Sequence, residues 1–205
     1  MYLASPQIVE CPFCGAEKEL LRLMSGNTCG ARLWSDNKRE APMLPQVSFV
    51  QKCPNCSKYY MMSRQKDRYA AGGCSSELGT LTYPEMKEAF IQLSNEGFEN
   101  IDEEREVRVL LLRSYNDCFY RNETDSQPSE DEVELNQRNL LWLIENWAGD
   151  NIMKAELYRE AGFMDKAIEI LANAKADNDF VLKIKNEIER LAKANDPSVF
   201  EITNQ

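Results

Sequence analysis

Hydrophobic and polar positions follow two different periods along the chain, and the change falls near residue 80. Before it, apolar residues stand in short runs or alternate with polar ones, which is typical of β-strands separated by turns. Pro42 and Pro45 exclude a helix in the middle of this part. The pattern predicts short strands at Glu19–Leu23, Ala31–Trp34, Val47–Lys52 and Tyr59–Met62.

From Thr82 onward, apolar residues recur every three to four positions, which is the period of helices that bury one face. Thr82 followed by Pro84 predicts the start of a first helix, and Gly97 its end. A second helix is expected over 102–121, with Asp102 as its cap. The remaining pattern predicts a helix over 130–147, three shorter helices within 151–194, and a loosely held tail from Ser198.

The two patterns are separated by a polar stretch that contains Gly72, Gly73 and Gly79. The sequence therefore predicts an α+β multidomain protein, with a small β-rich domain over 1–62, a linker over 63–80 and an all-α domain over 81–205. The charge supports the division. Residues 1–80 carry a net charge of +3, whereas residues 81–205 carry −13, which disfavours nucleic acid as a partner of the second part.

Several classes of protein are disfavoured by what the sequence lacks. It has no histidine, which removes the commonest acid–base group of enzymes near neutral pH and every His-containing metal site. No apolar run approaches the roughly 18 residues of a membrane span. The first residues do not resemble a secretory signal, so we expect a cytoplasmic protein with reduced thiols and no membrane partner.

Four of the seven cysteines form two Cys-Pro-x-Cys motifs, Cys11–Cys14 and Cys53–Cys56. A two-residue spacer lets one tight turn direct both sulfurs at the same point, and Gly15 suits the left-handed position that often follows such a turn. Two such turns supply the four thiolates of a tetrahedral zinc site. Two independent redox motifs, or iron in place of zinc, are the alternatives. A redox motif would open a helix after a strand, and that pattern is absent here.

Cys14 and Cys53 are separated by 38 residues, more than usual for paired motifs of this kind. We interpret the excess, around Ala31–Gln46, as an inserted loop or an extra hairpin. Four thiolates complete the coordination of zinc and leave no position for substrate, so we expect one structural ion that stabilises a small module.

The other three cysteines give weaker indications. Cys118 falls on the apolar face of a predicted helix and is expected in the core. Cys29 lies in a turn and Cys74 in the linker, and either is a candidate reactive thiol. Without a histidine or a clear basic neighbour, we favour an ordinary thiol for both.

Two resemblances follow from these motifs. The two Cys-Pro-x-Cys turns and their flanking strands resemble the zinc-ribbon family. Residues 152–174 resemble one tetratricopeptide repeat, although the usual tryptophan and closing proline are replaced by Asn151 and Asp179, and no second repeat is visible. The combination is similar to bacterial proteins without an assigned activity. An irregular helical bundle is the alternative. The repeat-like match is carried by Ala155, Tyr158, Gly162, Phe163, Ala167, Leu171 and Ala174.

The resemblance to helical repeats implies a non-enzymatic scaffold that binds a protein or peptide, and the acidic helical part favours a basic partner. Nucleic-acid binding by the N-terminal module is the alternative, because basic residues there are interleaved with aromatic ones. Catalysis through Cys29 or Cys74 is disfavoured. Trp34, Tyr59 and Tyr60 are expected to cover the core of the ribbon, and Arg105, Arg108 and Arg113 to form a solvated helix face. The basic residues are Arg32, Lys38, Arg39, Lys52, Lys58, Arg64, Lys66 and Arg68.

Overall fold

The computed structural model of the protein describes residues 2–3, 7–20, 23–44, 48–64, 66–69, 80–121 and 126–203. Small antiparallel sheets precede an all-helical C-terminal part, so the predicted α+β class is confirmed. The strands are β1 (Tyr2–Leu3), β2 (Gln7–Glu10), β3 (Glu17–Leu20), β4 (Leu23–Ser25), β5 (Arg32–Trp34), β6 (Arg39–Glu40), β7 (Val50–Lys52), β8 (Tyr59–Met61), β9 (Lys66–Tyr69) and β10 (Glu201–Ile202).

Six α-helices lie within the described part of the chain, at the positions that the helical period predicts. A 3₁₀ turn at Met62–Arg64 precedes β9, and a π-helical turn at Asp117–Arg121 continues the second helix. The α-helices are α1 (Tyr83–Glu96), α2 (Ile101–Asn116), α3 (Glu130–Glu145), α4 (Asn151–Glu160), α5 (Met164–Asn173) and α6 (Asp179–Lys193).

The chain divides into two compact units, and neither is continuous in sequence. The first comprises Met1–Ala31 and Glu40–Val107, and the second comprises Arg32–Arg39 and Arg108–Gln205. The helical unit therefore includes an eight-residue segment from the middle of the strand-rich part. The predicted boundaries at residues 62 and 80 stay a prediction. Of the predicted linker, 66–69 form β9, while residue 65 and residues 70–79, including Cys74, lie outside the described residues.

The first unit is built from short antiparallel pairs. β2 lies between β3 and β9, β7 pairs with β8, and β1 pairs with β4. Val9 of β2, Leu20 of β3 and Val50 of β7 are buried. β8 is buried on both faces because Tyr59, Tyr60 and Met61 are all inaccessible. Because the strands are only two to four residues long, their buried apolar surface is small.

Helix α1 belongs to the first unit and packs on β8. Glu85 accepts hydrogen bonds from the N–H and hydroxyl of Thr82, and Gly97 with φ 87° ends the helix, as predicted. On its inner face, the Gln92 side chain accepts a hydrogen bond from the Tyr59 N–H at 3.0 Å and donates one to the Tyr59 carbonyl at 2.8 Å. This side chain therefore satisfies the outer main-chain groups of β8 as a neighbouring strand would.

Helix α2 begins one residue before the predicted cap. The side chain of Asn100, not that of Asp102, accepts the free N–H of Glu103 at 2.9 Å. Asp102 instead pairs with Arg105 at 2.5 Å in the first turn. An asparagine just before the helix satisfies a terminal donor as well as an aspartate does.

The hairpin of β5 and β6, residues 32–40, is the predicted insertion, and residues 32–39 of it pack in the second unit. β5 pairs on its other side with β10, so that Glu201 lies opposite Trp34 and Ile202 opposite Leu33. The prediction of a loosely held tail from Ser198 is therefore wrong up to residue 203. The tail is held because Val199 is buried and the Phe200 carbonyl accepts a hydrogen bond from the Ser35 N–H at 2.9 Å.

Two apolar clusters form the core of the helical part, and α4 contributes to both. One, built around Leu112, Leu140, Leu143 and Leu157, joins α2 and α3 to α4. In the other, Gly162 with φ 83° turns the chain between α4 and α5, so that these two helices pack together and on α6. The second cluster comprises Ile152, Ala155, Ala167, Leu171, Ala174, Ile188 and Ala192.

Candidate metal centre

The structure brings the four predicted cysteines together. The sulfur atoms of Cys11, Cys14, Cys53 and Cys56 all lie within 4.8 Å of one another. Cys11 and Cys56 are 3.8 Å apart, and Cys14 and Cys53 are 3.6 Å apart. A Zn–S bond of about 2.3 Å implies an S–S edge of about 3.8 Å in a tetrahedron. The four sulfurs therefore have the spacing that a single tetrahedral metal ion requires.

Each pair of cysteines sits in the same kind of turn. The Cys11 N–H donates to the Ala16 carbonyl and the Gly15 N–H to the Cys11 carbonyl, both at 2.9 Å. In the second turn, the Cys53 N–H donates to the Lys58 carbonyl at 2.9 Å and the Ser57 N–H to the Cys53 carbonyl at 3.0 Å. The two turns thus present their sulfurs from equivalent positions, because a strand enters and leaves each of them in the same way.

Both turns need a left-handed residue directly after the second cysteine. Gly15 has φ 68°, as predicted, and Ser57 has φ 59°. A serine at positive φ is strained relative to glycine. The position of Ser57 was not predicted, although aligning the second motif on the first places it opposite Gly15.

The four sulfurs differ in their surroundings. Cys11 and Cys53 are buried against Tyr60, whereas Cys14 is exposed and Cys56 is half-buried. The side-chain amide of Asn55 donates to the Cys14 sulfur at 3.5 Å. The Cys56 N–H donates to the Cys53 sulfur, also at 3.5 Å. These donors lie within the turns themselves and compensate part of the charge that four thiolates would carry.

These contacts move the pKa of the thiols in opposite directions. The hydrogen bond from Asn55, followed by one from the Ala16 N–H, lowers the pKa of Cys14 to about 6. Burial raises the pKa of Cys11. Burial, and then the charge of the nearby cysteines, raises the pKa of Tyr60 to about 12. A metal is bound by thiolates, so the exposed Cys14 is the ligand that is most readily available.

The arrangement supplies a complete set of four protein ligands. A catalytic zinc site has three protein ligands and an open position for water or substrate, whereas structural sites are closed by four. The cluster of cysteines fits the second kind. Four sulfurs at tetrahedral spacing also suit iron, so the geometry identifies a metal site without identifying the metal.

The remaining cysteines are apart from this centre where the structure describes them. Cys29 is exposed, and its N–H donates to the Asn27 side chain at 2.9 Å. Cys118 is half-buried in the π-helical turn, and burial raises the pKa of its thiol. A raised pKa keeps a thiol protonated and unreactive at neutral pH.

The aromatic and basic residues that the sequence analysis singled out lie in different units. Tyr59 and Tyr60 are buried in the first unit, as predicted for residues that cover the ribbon core. Trp34 is buried in the second unit instead, with the guanidinium of Arg121 at 5.2 Å from its ring. Arg108 lies 4.5 Å over the ring of Trp142 and Arg113 donates to the Asn37 carbonyl at 2.9 Å, and both arginines are half-buried.

No protein-family model, curated protein or solved structure matches this chain. Among the described residues, no helix combines the length and apolar character that crossing a bilayer demands. Assignment of the cysteine cluster as a metal site rests on the geometry given above.

Proposed function

We propose that this is a non-enzymatic, cytoplasmic interaction protein in which one structural zinc ion holds the ribbon-like module and the repeat-like helical part binds a basic peptide or protein segment. The observation that carries the first half is the closed cluster of four cysteine sulfurs within 4.8 Å. A reducing compartment belongs to the proposal, because the site needs reduced thiols.

We choose zinc because a structural site closed by four thiolates is typical of zinc, and iron in the same ligand set is the alternative that metal analysis decides. The turns of the site are short, its ligand set is closed, and the apolar core around it is small. The experiment is metal analysis of protein purified without added metal, which we expect to give one zinc per chain. Iron in equal amount would replace zinc in the proposal, and folded protein without any metal would refute it.

The repeat-like interpretation of α4 and α5 is supported by how closely the two helices approach. Ala155 and Ala167, the small residues expected at such an approach, are fully buried where α4, α5 and α6 meet. Tyr158 and Phe163 contact each other edge to face at 6.3 Å near the Gly162 turn. The buried alanines and the turn at Gly162 support the repeat-like interpretation.

A groove in the second unit supports the binding of a peptide. It has a volume of about 440 Å³ and lies along the β5–β6 hairpin, α4 and α6. Asp150, Asp177 and Lys175 are exposed at this groove, so its edge carries a net negative charge, and the surrounding helical part is strongly acidic. Apolar walls with acidic groups at the edge suit a segment of alternating apolar and basic residues. The main apolar lining residues are Leu33, Trp34, Trp147, Phe180, Ile184 and Ile202.

The test uses short synthetic peptides of alternating leucine and lysine, with leucine–glutamate peptides as the matched probe. We expect the basic peptide to bind the full chain and change its tryptophan fluorescence. Replacing Asp150→Asn and Asp177→Asn should weaken binding severalfold, while Asp131→Asn on α3 should leave it unchanged. Equal binding of both peptides, or of neither, would refute the choice of partner.

Nucleic-acid binding by the N-terminal module stays a weaker prediction. Two of its basic residues are engaged with carboxylates, which lowers the charge available to phosphates. Lys52 pairs with Glu85 at 3.3 Å and Arg64 with Glu103 at 2.7 Å. In the second unit, Lys38 likewise pairs with Asp117 at 2.6 Å. Salt-sensitive binding of a short single strand by the full chain would restore this alternative.

A further inference from the structure

The hairpin within the second unit is held by a chain of ion pairs that is buried at one end and partly exposed at the other. Asp36 lies at its tip, fully buried, and pairs with Arg121 of the π-helical turn. Arg121 also contacts Asp117 at 2.5 Å, and Asp117 in turn pairs with Lys38 of the hairpin at 2.6 Å. Each carboxylate in this chain has a cation within contact distance, so its charge is compensated.

Glu160, the last residue of α4, lies in the same region and is held by a side-chain amide. The side-chain amide of Asn116 donates to Glu160 Oε2 at 2.9 Å and to Asp36 Oδ2 at 3.1 Å. Asn116 therefore bridges one carboxyl of the hairpin and one of α4. Within the described part of the chain, the buried Glu160 Oε1 and the buried Asn116 Oδ1 have no hydrogen-bond partner.

The charges around Glu160 oppose its ionisation. Burial raises the pKa of its carboxyl well above the usual value, and the negative charges of Glu156 and Asp36 add to this effect. The nearby guanidinium of Arg159 is committed to Glu156, at 2.5 Å, and to the Asp196 carbonyl, also at 2.5 Å. Two further titratable groups lie close enough to interact electrostatically with Glu160 or Arg159. They are Tyr120 of the π-helical turn and the Asp196 carboxylate.

We propose that Glu160 carries a proton in the folded protein and that this proton keeps the 32–39 hairpin fastened to α2 and α4. With Glu160 neutral, Asp36, Asp117 and Glu156 are matched by Arg121, Lys38 and Arg159. Ionised Glu160 would be a fourth carboxylate, one bridging amide away from Asp36 and without a cation of its own. Loss of the proton to solvent would therefore push the hairpin away from the helices.

Displacement of the hairpin would alter the groove, because the hairpin contributes part of its lining. These lining residues are Leu33, Trp34, Ser35 and Asn37. A group whose pKa is raised by folding stabilises the folded state most at low pH, and that contribution is lost as the pH rises through its folded value. Attachment of the hairpin should therefore weaken from about pH 5 upward. The groove would be best formed in mildly acidic solution.

The experiment follows amide hydrogen exchange of residues 32–39 by mass spectrometry on the full chain between pH 5 and 9, corrected for the intrinsic exchange rate. In wild type we expect protection of this segment to fall about tenfold for each unit by which folding raises the Glu160 pKa. Glu160→Gln, a neutral replacement that keeps an acceptor for Asn116, should hold the protection nearly constant. Glu145→Gln, at an exposed carboxylate, is the matched control and should behave as wild type.

A second measurement follows the titration of the wild-type protein and uses the variant only to assign one resonance. In wild-type protein labelled with ¹³C at glutamate carboxyls, one resonance should titrate well above all the others, and Glu160→Gln should remove it. The proposal is overturned if every glutamate titrates near its ordinary value. It is equally overturned if wild type and Glu160→Gln lose protection of residues 32–39 in parallel.

Discussion

The two cysteine turns and the 32–39 hairpin, which lies between them in sequence, are held in place by different interactions. The cysteine turns satisfy their main-chain groups locally and place four sulfurs around one point, so a metal ion would complete them. The 32–39 hairpin has no such local centre and depends on Arg121, Asp117 and β10, more than 75 residues away in sequence. A local motif is visible in the sequence, whereas the remote partners that hold a hairpin in place are not.

The same contrast separates the two units. In the first, strands of two to four residues surround the sulfurs, and the apolar cluster at the cysteines is small, with Tyr60 and Ala16 packed against Cys11 and Cys53. In the second, two apolar clusters and the fully buried Glu156–Arg159 pair supply the interior. We therefore expect metal to dominate the stability of the first unit and side-chain packing that of the second.

Removal of a metal ligand should have the largest effect. Cys53→Ser eliminates a buried thiolate, and structural zinc contributes on the order of 10 kcal/mol in small modules of this kind. We expect loss of bound zinc and of amide protection in β7 and β8, with the protection of α3–α6 retained. Cys29→Ser, at an exposed thiol, is the control. Retained zinc in Cys53→Ser, or equal loss of protection in both units, would contradict the expectation that metal stabilises the first unit and packing the second.

Breaking the buried ion pair of the hairpin should have the next largest effect. Arg121→Met leaves Asp36 buried without a cation, which costs about 3–5 kcal/mol in the free energy of unfolding. Urea unfolding followed by helical circular dichroism measures this, and zinc content should not change. Arg138→Met, in the exposed pair with Glu134, should alter the unfolding midpoint hardly at all. A similar small effect of Arg121→Met would show that the hairpin is held by β10 alone.

The link between α1 and β8 should contribute less. Gln92→Ala leaves the N–H and carbonyl of Tyr59 without their partners, at a cost of about 1–3 kcal/mol. Amide protection in β7 and β8 of zinc-loaded protein should fall accordingly. Gln137→Ala, at an exposed position of α3, serves as the control. If Gln92→Ala leaves the protection unchanged, packing alone attaches α1.

Relief of strain in the second cysteine turn should have the smallest effect. Ser57→Gly removes a side chain from a residue at φ 59° and should stabilise the first unit by roughly 0.5–1 kcal/mol, whereas Gly15→Ala should destabilise it by about 1 kcal/mol. Competition for zinc with a coloured chelator reports both changes. Effects of the same sign would show that the two turns are not equivalent.

Prediction from sequence succeeded where the signal is local or periodic. Two-residue spacers predicted the cysteine turns, and the recurrence of apolar residues such as Leu140 and Leu143 predicted the helices. It failed at Asn100, at the tail from Ser198 and at Trp34. At Asn100 the choice lay between two nearby polar residues, whereas at the tail and at Trp34 a partner elsewhere in the chain selected the arrangement.

The sequence by itself determined which four cysteines come together and where strands change to helices, because spacing and periodicity act over a few residues. Only the tertiary structure decided that residues 32–39 join the helical unit, that the tail pairs with β5, and that Glu160 lies against Asn116 and Asp36. These depend on which distant polar groups are buried together. Burial makes an unpaired charge costly, and no short stretch of sequence reveals which groups will share that environment.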